Sequence, residues 1–408
     1  MKFFSLLAVI LASACNATYF SSPIKIVQTQ HKNEFVYFPQ SLNLLGDKVL
    51  LSFQTQEDAL HPKGWTGRHF VAPLSSIKNF TEIETIWMEP AENWLVKPCV
   101  QHKNNSYFCF TYDTRRFRRY EARYAWIRVV EFVVESKGVY AQKVFNATVD
   151  MGMSWRHWPA LWGNQSETSP YYSNVLVTDG NILNLEDSFG EFLFTTLYGY
   201  YEQDSKAAII AGIQSRDNGV SWRFKSTVAR AHGFSFCSIP SENHMIKLQN
   251  GSLLLVFRNG GELQHLCYTL SHDNGESWNV AKPLITHEPA PGSNVSWIWG
   301  VEPKLVTLSS GTIVLSTGRP GIMIWVTDQK LSSWKSFNIA EAHNFNAPPS
   351  FRYSSIFPSV QETTSYTGLI ALPQKNSILI SYDFLANGWN PSSPQNASAI
   401  FVMEVSLD

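Results

Sequence analysis

The stretches "SRDNGVSW" (residues 215–222) and "SHDNGESW" (271–278) spell nearly the same eight residues twice, and "TVDMGMSW" (148–155) is a third copy. All three fit Ser/Thr-x-Asp-x-Gly-x-x-Trp, with aspartates at Asp150, Asp217 and Asp273, spaced by 67 and 56 residues. A worn fourth copy, "VTDQKLSSW", surrounds Asp328; Lys330 replaces the glycine there and Trp334 arrives one position late. Glycine supplies the positive φ that a tight hairpin needs, while Asp and Ser/Thr side chains can hydrogen-bond the amides of their own turn. Tryptophan is too large to leave in a loop, so it is expected beneath neighbouring strands. Each copy therefore reads as a self-buttressed turn between two strands, with a structural rather than catalytic role.

Working outward, strand signals are short and frequent: "KVLLSF", "WIRVVEFVV", "FLFTTLYGY", "AAIIAGI", "HMIKLQN", "SLLLVFR", "IVLSTG" and "ILISYD". Turn residues separate them every few positions, long amphipathic helices are missing, and no Gly/Ser/Pro linker divides the chain. Sequence repeats of this length mark arrays, solenoids or propellers. A mature chain of about 390 residues at this spacing holds about six units, so an all-β, six-bladed β-propeller of four-stranded sheets is predicted over residues 18–408.

The opening "MKFFSLLAVILASACNATYF" has one lysine, an apolar run and small residues at Ala12, Ala14 and Ala17. It reads as a secretory signal peptide over 1–17, with cleavage after Ala14 or Ala17 and a bacterial lipobox ending at Cys15 as the alternative. No later stretch has the apolar length needed to span a bilayer. Asn79, Asn104, Asn146, Asn164, Asn250, Asn294 and Asn396 begin glycosylation sequons, which suits a secreted, extracellular glycoprotein. Four cysteines remain after Cys15. In an oxidising compartment they suggest two disulfides, Cys99–Cys109 across a hairpin around "VQHKNNSYF" and Cys237–Cys267 within one repeat. No His/Cys cluster has zinc-site spacing, and neither a metal nor a cofactor is expected. The net charge of −1 argues against nucleic acid or an anionic membrane as the main partner. The basic cluster "DTRRFRRYEARY" (113–124) reads as an exposed, twisted strand pair.

The repeated turn resembles the Asp-box of the sialidase superfamily. Three further stretches extend that resemblance over most of residues 175–385. "SENHMIKLQNGSLLLVFRNGG" places Glu242 and Arg258 where sialidases carry a glutamate before a hairpin and an arginine at the end of its second strand. "SYTGLIALPQKNSILISYD" places Tyr366 at the position of the tyrosine nucleophile. "GVEPKLVTLSSGTIVLSTGRPG" has the outline of the blade bearing the third carboxylate-binding arginine, with Arg319 as candidate, a backbone turn as the other explanation of Gly-Arg-Pro, and Arg352 in "FRYSS" as substitute. At the N-terminal end sialidases carry Phe/Tyr-Arg-Ile-Pro; this chain has "VYFP", with Tyr37 in the arginine's place. The acid/base aspartate is expected some twenty residues on, at Asp58, with Glu57 and His61 as neighbours.

What the resemblance implies has a physical logic. The anomeric carbon of sialic acid bears a carboxylate, which would repel an anionic nucleophile. A tyrosine approaches as a neutral group, and a glutamate beside it takes its proton. An aspartic acid protonates the leaving oxygen, and arginines hold the carboxylate by bidentate, charge-assisted bonds. With the first arginine replaced by Tyr37, the implied activity is an exo-glycosidase of altered substrate or a sialidase with a rearranged clamp, acting on glycoconjugate glycans. A non-catalytic glycan-binding propeller and a purely structural secreted propeller stand as alternatives. Convergence of Tyr366, Glu242 and Arg258 separates the first two from the third.

Overall fold

In the computed structural model the residues described are 18–29, 36–55, 67–83, 95–111, 124–152, 155–156, 176–178, 180–201, 204–230, 236–260, 265–286, 296–373, 375–386, 388 and 398–407. The predicted signal peptide, Cys15, Glu57, Asp58, His61, the arginines of 113–123, and Asn164, Asn294 and Asn396 lie outside them.

The run "SLLLVFR" becomes the strand Leu253–Asn259, whose residues Leu253 to Phe257 are all fully buried. Burial on both faces follows from the period of two. Leu253, Leu255 and Phe257 point into a cluster with Phe194 and Met245, while Leu254 and Val256 point into another with Leu315 and Trp325. A strand whose two faces meet two different cores must sit in a sheet sandwiched between two others. The same division recurs along the chain. Val49, Leu51 and Phe53 face one core and Leu50 another; Ile378 and Ile380 face one core and Leu379 another. Six large clusters result, and they run from one group of strands to the next until the last group meets the first. The arrangement is propeller-like and predominantly β.

The described strands form five sheets. The largest has ten strands and consists of two antiparallel groups that meet through a short parallel contact, Thr148–Asp150 against Ser221–Arg223. The sheet containing the last strand, Ala399–Leu407, is completed by Thr18–Phe20 and Ile24–Gln28 from the other end of the chain. Among the described residues the one α-helix is Ile339–Asn346, capped by the Asn338 side chain on the Glu341 amide, and no helix is long and apolar enough to cross a membrane.

The repeated turns hold as their chemistry predicts. In the copy at 215–222 Asp217 accepts from the Ser215 hydroxyl (2.8 Å), the Ser221 amide (2.9 Å) and the Ser221 hydroxyl (2.5 Å). Asp273 repeats the pattern with Ser271 and Ser277. Asn-Gly supplies consecutive positive φ angles, 58° and 88° at 218–219 and 55° and 82° at 274–275. Trp222 is buried and sits edge-on to Phe110. In the worn copy Asp328 still bonds Ser332 and the Lys330 amide, Leu331 takes the positive φ, and Trp334 is buried. In the third copy Asp150 accepts the Gly152 amide at 2.8 Å. Both expected disulfides form, with Cα–Cα distances of 4.0 Å for Cys99–Cys109 and 6.1 Å for Cys237–Cys267. Two disulfides and no membrane-spanning helix among the described residues are consistent with an extracellular protein.

Candidate active site

Glu242 lies near the start of the strand Pro240–Lys247, at a bulge between Pro240 and Asn243, and Arg258 lies near the end of the partner strand Leu253–Asn259. The antiparallel pairing Pro240 to Asn259 therefore brings both to the same end of the hairpin. The Ser241 hydroxyl on the Arg258 carbonyl (3.1 Å) fixes the bulge. Tyr366 stands just ahead of the strand Gly368–Ala371.

These three side chains meet. The Tyr366 hydroxyl donates to Glu242 Oε1 at 2.5 Å, and Arg258 Nη1 donates to the same oxygen at 3.0 Å. The second oxygen, Oε2, accepts the Glu302 backbone N–H at 2.9 Å. Glu242 is buried, so both of its oxygens are oriented by donors rather than by water. Burial, and then the charge of Glu242, push the Tyr366 phenol well above its ordinary range, so it stays protonated and neutral at physiological pH. The Glu242 charge also raises Arg258 beyond its already high value. Arg258 Nε is buried with no acceptor among the described residues.

Arg319 follows the strand Ile313–Gly318 in a tight turn, with φ of 57° and its amide on the Gly321 carbonyl. The backbone turn that Gly-Arg-Pro suggested is present. The turn also carries the guanidinium to 5.4 Å from the centre of the Tyr366 ring, with Nη2 donating to the Thr364 carbonyl at 3.3 Å. Arg352 is exposed and gives Nε to the Ala347 carbonyl. Tyr37 begins the strand Tyr37–Leu45 opposite Gln54, and its side chain lies outside the described part. Its neighbour Phe38 has φ of 55° and packs its ring edge-on to Tyr366 at 5.0 Å.

Sequence reasoning missed a second layer. Glu302, with φ of 44°, is buried and paired with Lys97 (3.3 Å) and Lys304 (2.7 Å). Glu302 and Lys304 share the strand Val301–Thr307, Lys97 comes from another sheet, and Glu302 is the residue whose amide holds Glu242. Their signal was present: "LVKPCV" and "VEPKLV" place charges in otherwise apolar strands, and a buried charge demands a partner. Asn243 and Thr196 add a buried side-chain bond of 2.5 Å beside them. Away from this site, His265 lies beside Cys237 and Cys267, but those sulfurs are bonded to each other and not available as thiolate ligands. A surface groove lined by Lys25, Thr29, Arg68 and Phe70 contains none of the residues above.

No protein-family model and no curated protein sequence matches this chain. Its structural neighbours include glycosidases. An α-L-arabinofuranosidase from Fusarium graminearum, solved with an iminosugar inhibitor, shares 12% identity with a TM-score of 0.58, covering 94% of this chain and 97% of that one. An α-L-arabinanase from Penicillium chrysogenum, solved with arabinobiose, shares 12% identity with a TM-score of 0.56, covering 94% and 98%. The Trypanosoma rangeli sialidase with the inhibitor DANA shares 13% identity with a TM-score of 0.53, and the alignment covers 95% of this chain but 59% of the sialidase. At these identities the likeness establishes the fold, that of sialidase-like glycosidases.

Proposed function

We propose that this protein is a secreted, six-bladed, sialidase-like exo-glycoside hydrolase that retains configuration, with Tyr366 as nucleophile and Glu242 as its base. The observation that carries the reading is the 2.5 Å bond from a neutral, half-buried phenol to a carboxylate that Arg258 and the Glu302 amide orient. In the two halves of the ten-stranded sheet we count two blades, which makes six.

In this reading the phenol oxygen attacks the anomeric carbon while its proton passes to Glu242 Oε1. The proton path is already formed in the ground state, so little reorganisation is needed. Asp58 is the proposed acid for the leaving oxygen, and water then releases the sugar from Tyr366. Arg258 shares the Glu242 oxygen with the Tyr366 hydroxyl and Arg319 lies over the Tyr366 ring, and together they favour a substrate with an anionic group near the anomeric carbon. Tyr37 in place of a third arginine removes one arm of that clamp, a change that costs a carboxylate ligand about 3–5 kcal/mol in a buried setting. An altered acidic sugar is therefore the favoured substrate class.

The test is an assay of the purified protein against fluorogenic sialosides, uronides, arabinosides and neutral glycosides, with Tyr366→Phe in parallel. Turnover of one class by wild type and its loss in Tyr366→Phe supports the proposal. Glycan binding without turnover of any class would sink it and favour a glycan-binding propeller.

A further inference from the structure

Two residues beside Tyr366 occupy backbone conformations that side chains avoid: Phe38, with φ of 55°, and Ser365, with φ of 64°. They come from opposite ends of the chain, yet one buried group holds both segments. Asp383, in the strand Ser377–Phe384, accepts the Phe38 N–H (3.1 Å) and the Thr364 hydroxyl (2.5 Å) on Oδ2. On Oδ1 it accepts the Thr363 hydroxyl (2.7 Å) and the Thr364 N–H (2.9 Å). The carboxylate is fully buried and all four of these donors are neutral. Thr364 Oγ1 in turn accepts the Tyr366 N–H at 3.4 Å.

A second rung repeats the arrangement two residues earlier on the same face of the strand. The Ser381 hydroxyl donates to the Pro39 carbonyl at 2.6 Å and accepts the Gly368 N–H at 3.1 Å. Ser381 ties the backbone on the far side of Tyr366, whereas Asp383 grips the two strained segments that touch its ring. Phe38, Leu385 and Tyr366 form a small apolar cluster of their own there.

We infer that Asp383 is the positioning residue for Tyr366: its four hydrogen bonds impose the conformations of Phe38 and Ser365 that aim the phenol at Glu242. This rests on the proposed function for its kinetic consequence but not for its geometric one. Asp383→Asn keeps the shape and turns one acceptor oxygen into a donor facing donors, so at least one grip is lost.

The experiment is a crystal structure of Asp383→Asn beside wild type, with kcat and KM on the best substrate of the panel above. Ser226→Ala serves as control, because Ser226 is buried and bonds the Gly275 carbonyl in a turn far along the sheets. The Tyr366–Glu242 separation should open past hydrogen-bonding distance. The kcat should fall about 10- to 100-fold, as ~1 Å misplacements do, with KM within about twofold. Ser226→Ala should lose thermal stability and keep kcat. If the 2.5 Å contact persists in Asp383→Asn, or kcat falls only as far as in Ser226→Ala at equal loss of stability, Asp383 is a structural residue and the inference is wrong. Should Asp383→Asn fail to fold, Thr364→Val removes one of the four bonds and is judged by the same two measurements. If wild type cleaves nothing in the panel, the functional reading falls while the crystallographic separation still decides this one.

Discussion

In the proposed reaction the Tyr366 phenol must stay neutral until the substrate arrives and lose its proton only during attack, and its surroundings suit both needs. Burial keeps it protonated, and Glu242 at 2.5 Å waits for the proton. Tyr366→Phe removes the proposed attacking oxygen and leaves the ring packed on Phe38, so turnover should drop about 10³-fold or more while the melting temperature stays near wild type. Glu242→Gln should lower kcat by about 10²–10⁴-fold, and stopped assays on both variants would measure these losses. Tyr366, Glu242 and Arg258 could be named from the sequence because each lies on or beside a hairpin whose turn and strand residues set its register. Asp383 could not, and for Glu302 and Lys97 the sequence signalled two buried charges but not their pairing. Their roles depend on contacts between strands far apart in the chain, 205 residues for Lys97 with Glu302 and 345 for Phe38 with Asp383, which no local pattern encodes.

The repeated turns belong to the next scale, and their glycines do more than relax a backbone. A Cβ on Gly275, where φ is 82°, would meet the Phe194 ring of the preceding strands at 3.0 Å, whereas one on Gly152, where φ is 67°, would meet nothing within 4 Å. Gly152→Ala should therefore cost only the backbone strain, about 1 kcal/mol, and Gly275→Ala about 2–3 kcal/mol by adding a clash. Urea melts of the two variants would separate these terms, and neither should change kcat. The strand Leu253–Asn259 explains why: the Ser271 end of its partner lies opposite Leu253, about 17 Å from Arg258 at ~3.4 Å per residue. The turn chemistry was legible because it is local to eight residues. The helix Ile339–Asn346 was not, since its short amphipathic stretch is fixed by packing rather than propensity. Its His343 bonds Tyr382 (3.0 Å) and the Phe351 carbonyl (2.7 Å), and burial pushes it down to about 4 from 6.5. The unfolded chain therefore binds the extra proton between those values, so the stability this neutral imidazole supports is whole above pH 6.5 and is lost as the pH falls toward 4. Unfolding free energies at pH 7 and 5 should differ by about 2 kcal/mol less in His343→Gln than in wild type.

The whole molecule is closed by its two ends. Thr18–Phe20 and Ile24–Gln28 lie along Ala399–Leu407, and the Thr29 amide bonds the Ser398 carbonyl at 2.9 Å. A chain beginning at Val36 would leave the last strand with a bare edge. It should melt about 5 °C lower or more and scatter light on heating, which calorimetry with static scattering would record. The period of the repeats predicts a ring-like fold, but that the first strands complete the last sheet is a property of topology, invisible in any single repeat. The same closure sets an order of events. Thr18–Phe20 and Ile24–Gln28 have their partner in Ala399–Leu407, about 370 residues further along, so they wait, unpaired, until that strand has been synthesised. Each earlier sheet can form as it emerges, but the circle becomes one cooperative body only after Ala399–Leu407 has emerged. Tyr366 is among its late beneficiaries, because Phe38 and Asp383 come together in that final step. The proposed site is thus completed late in folding, and a chain stalled before Ser377–Phe384 would hold Glu242 and Arg258 with no properly aimed phenol beside them.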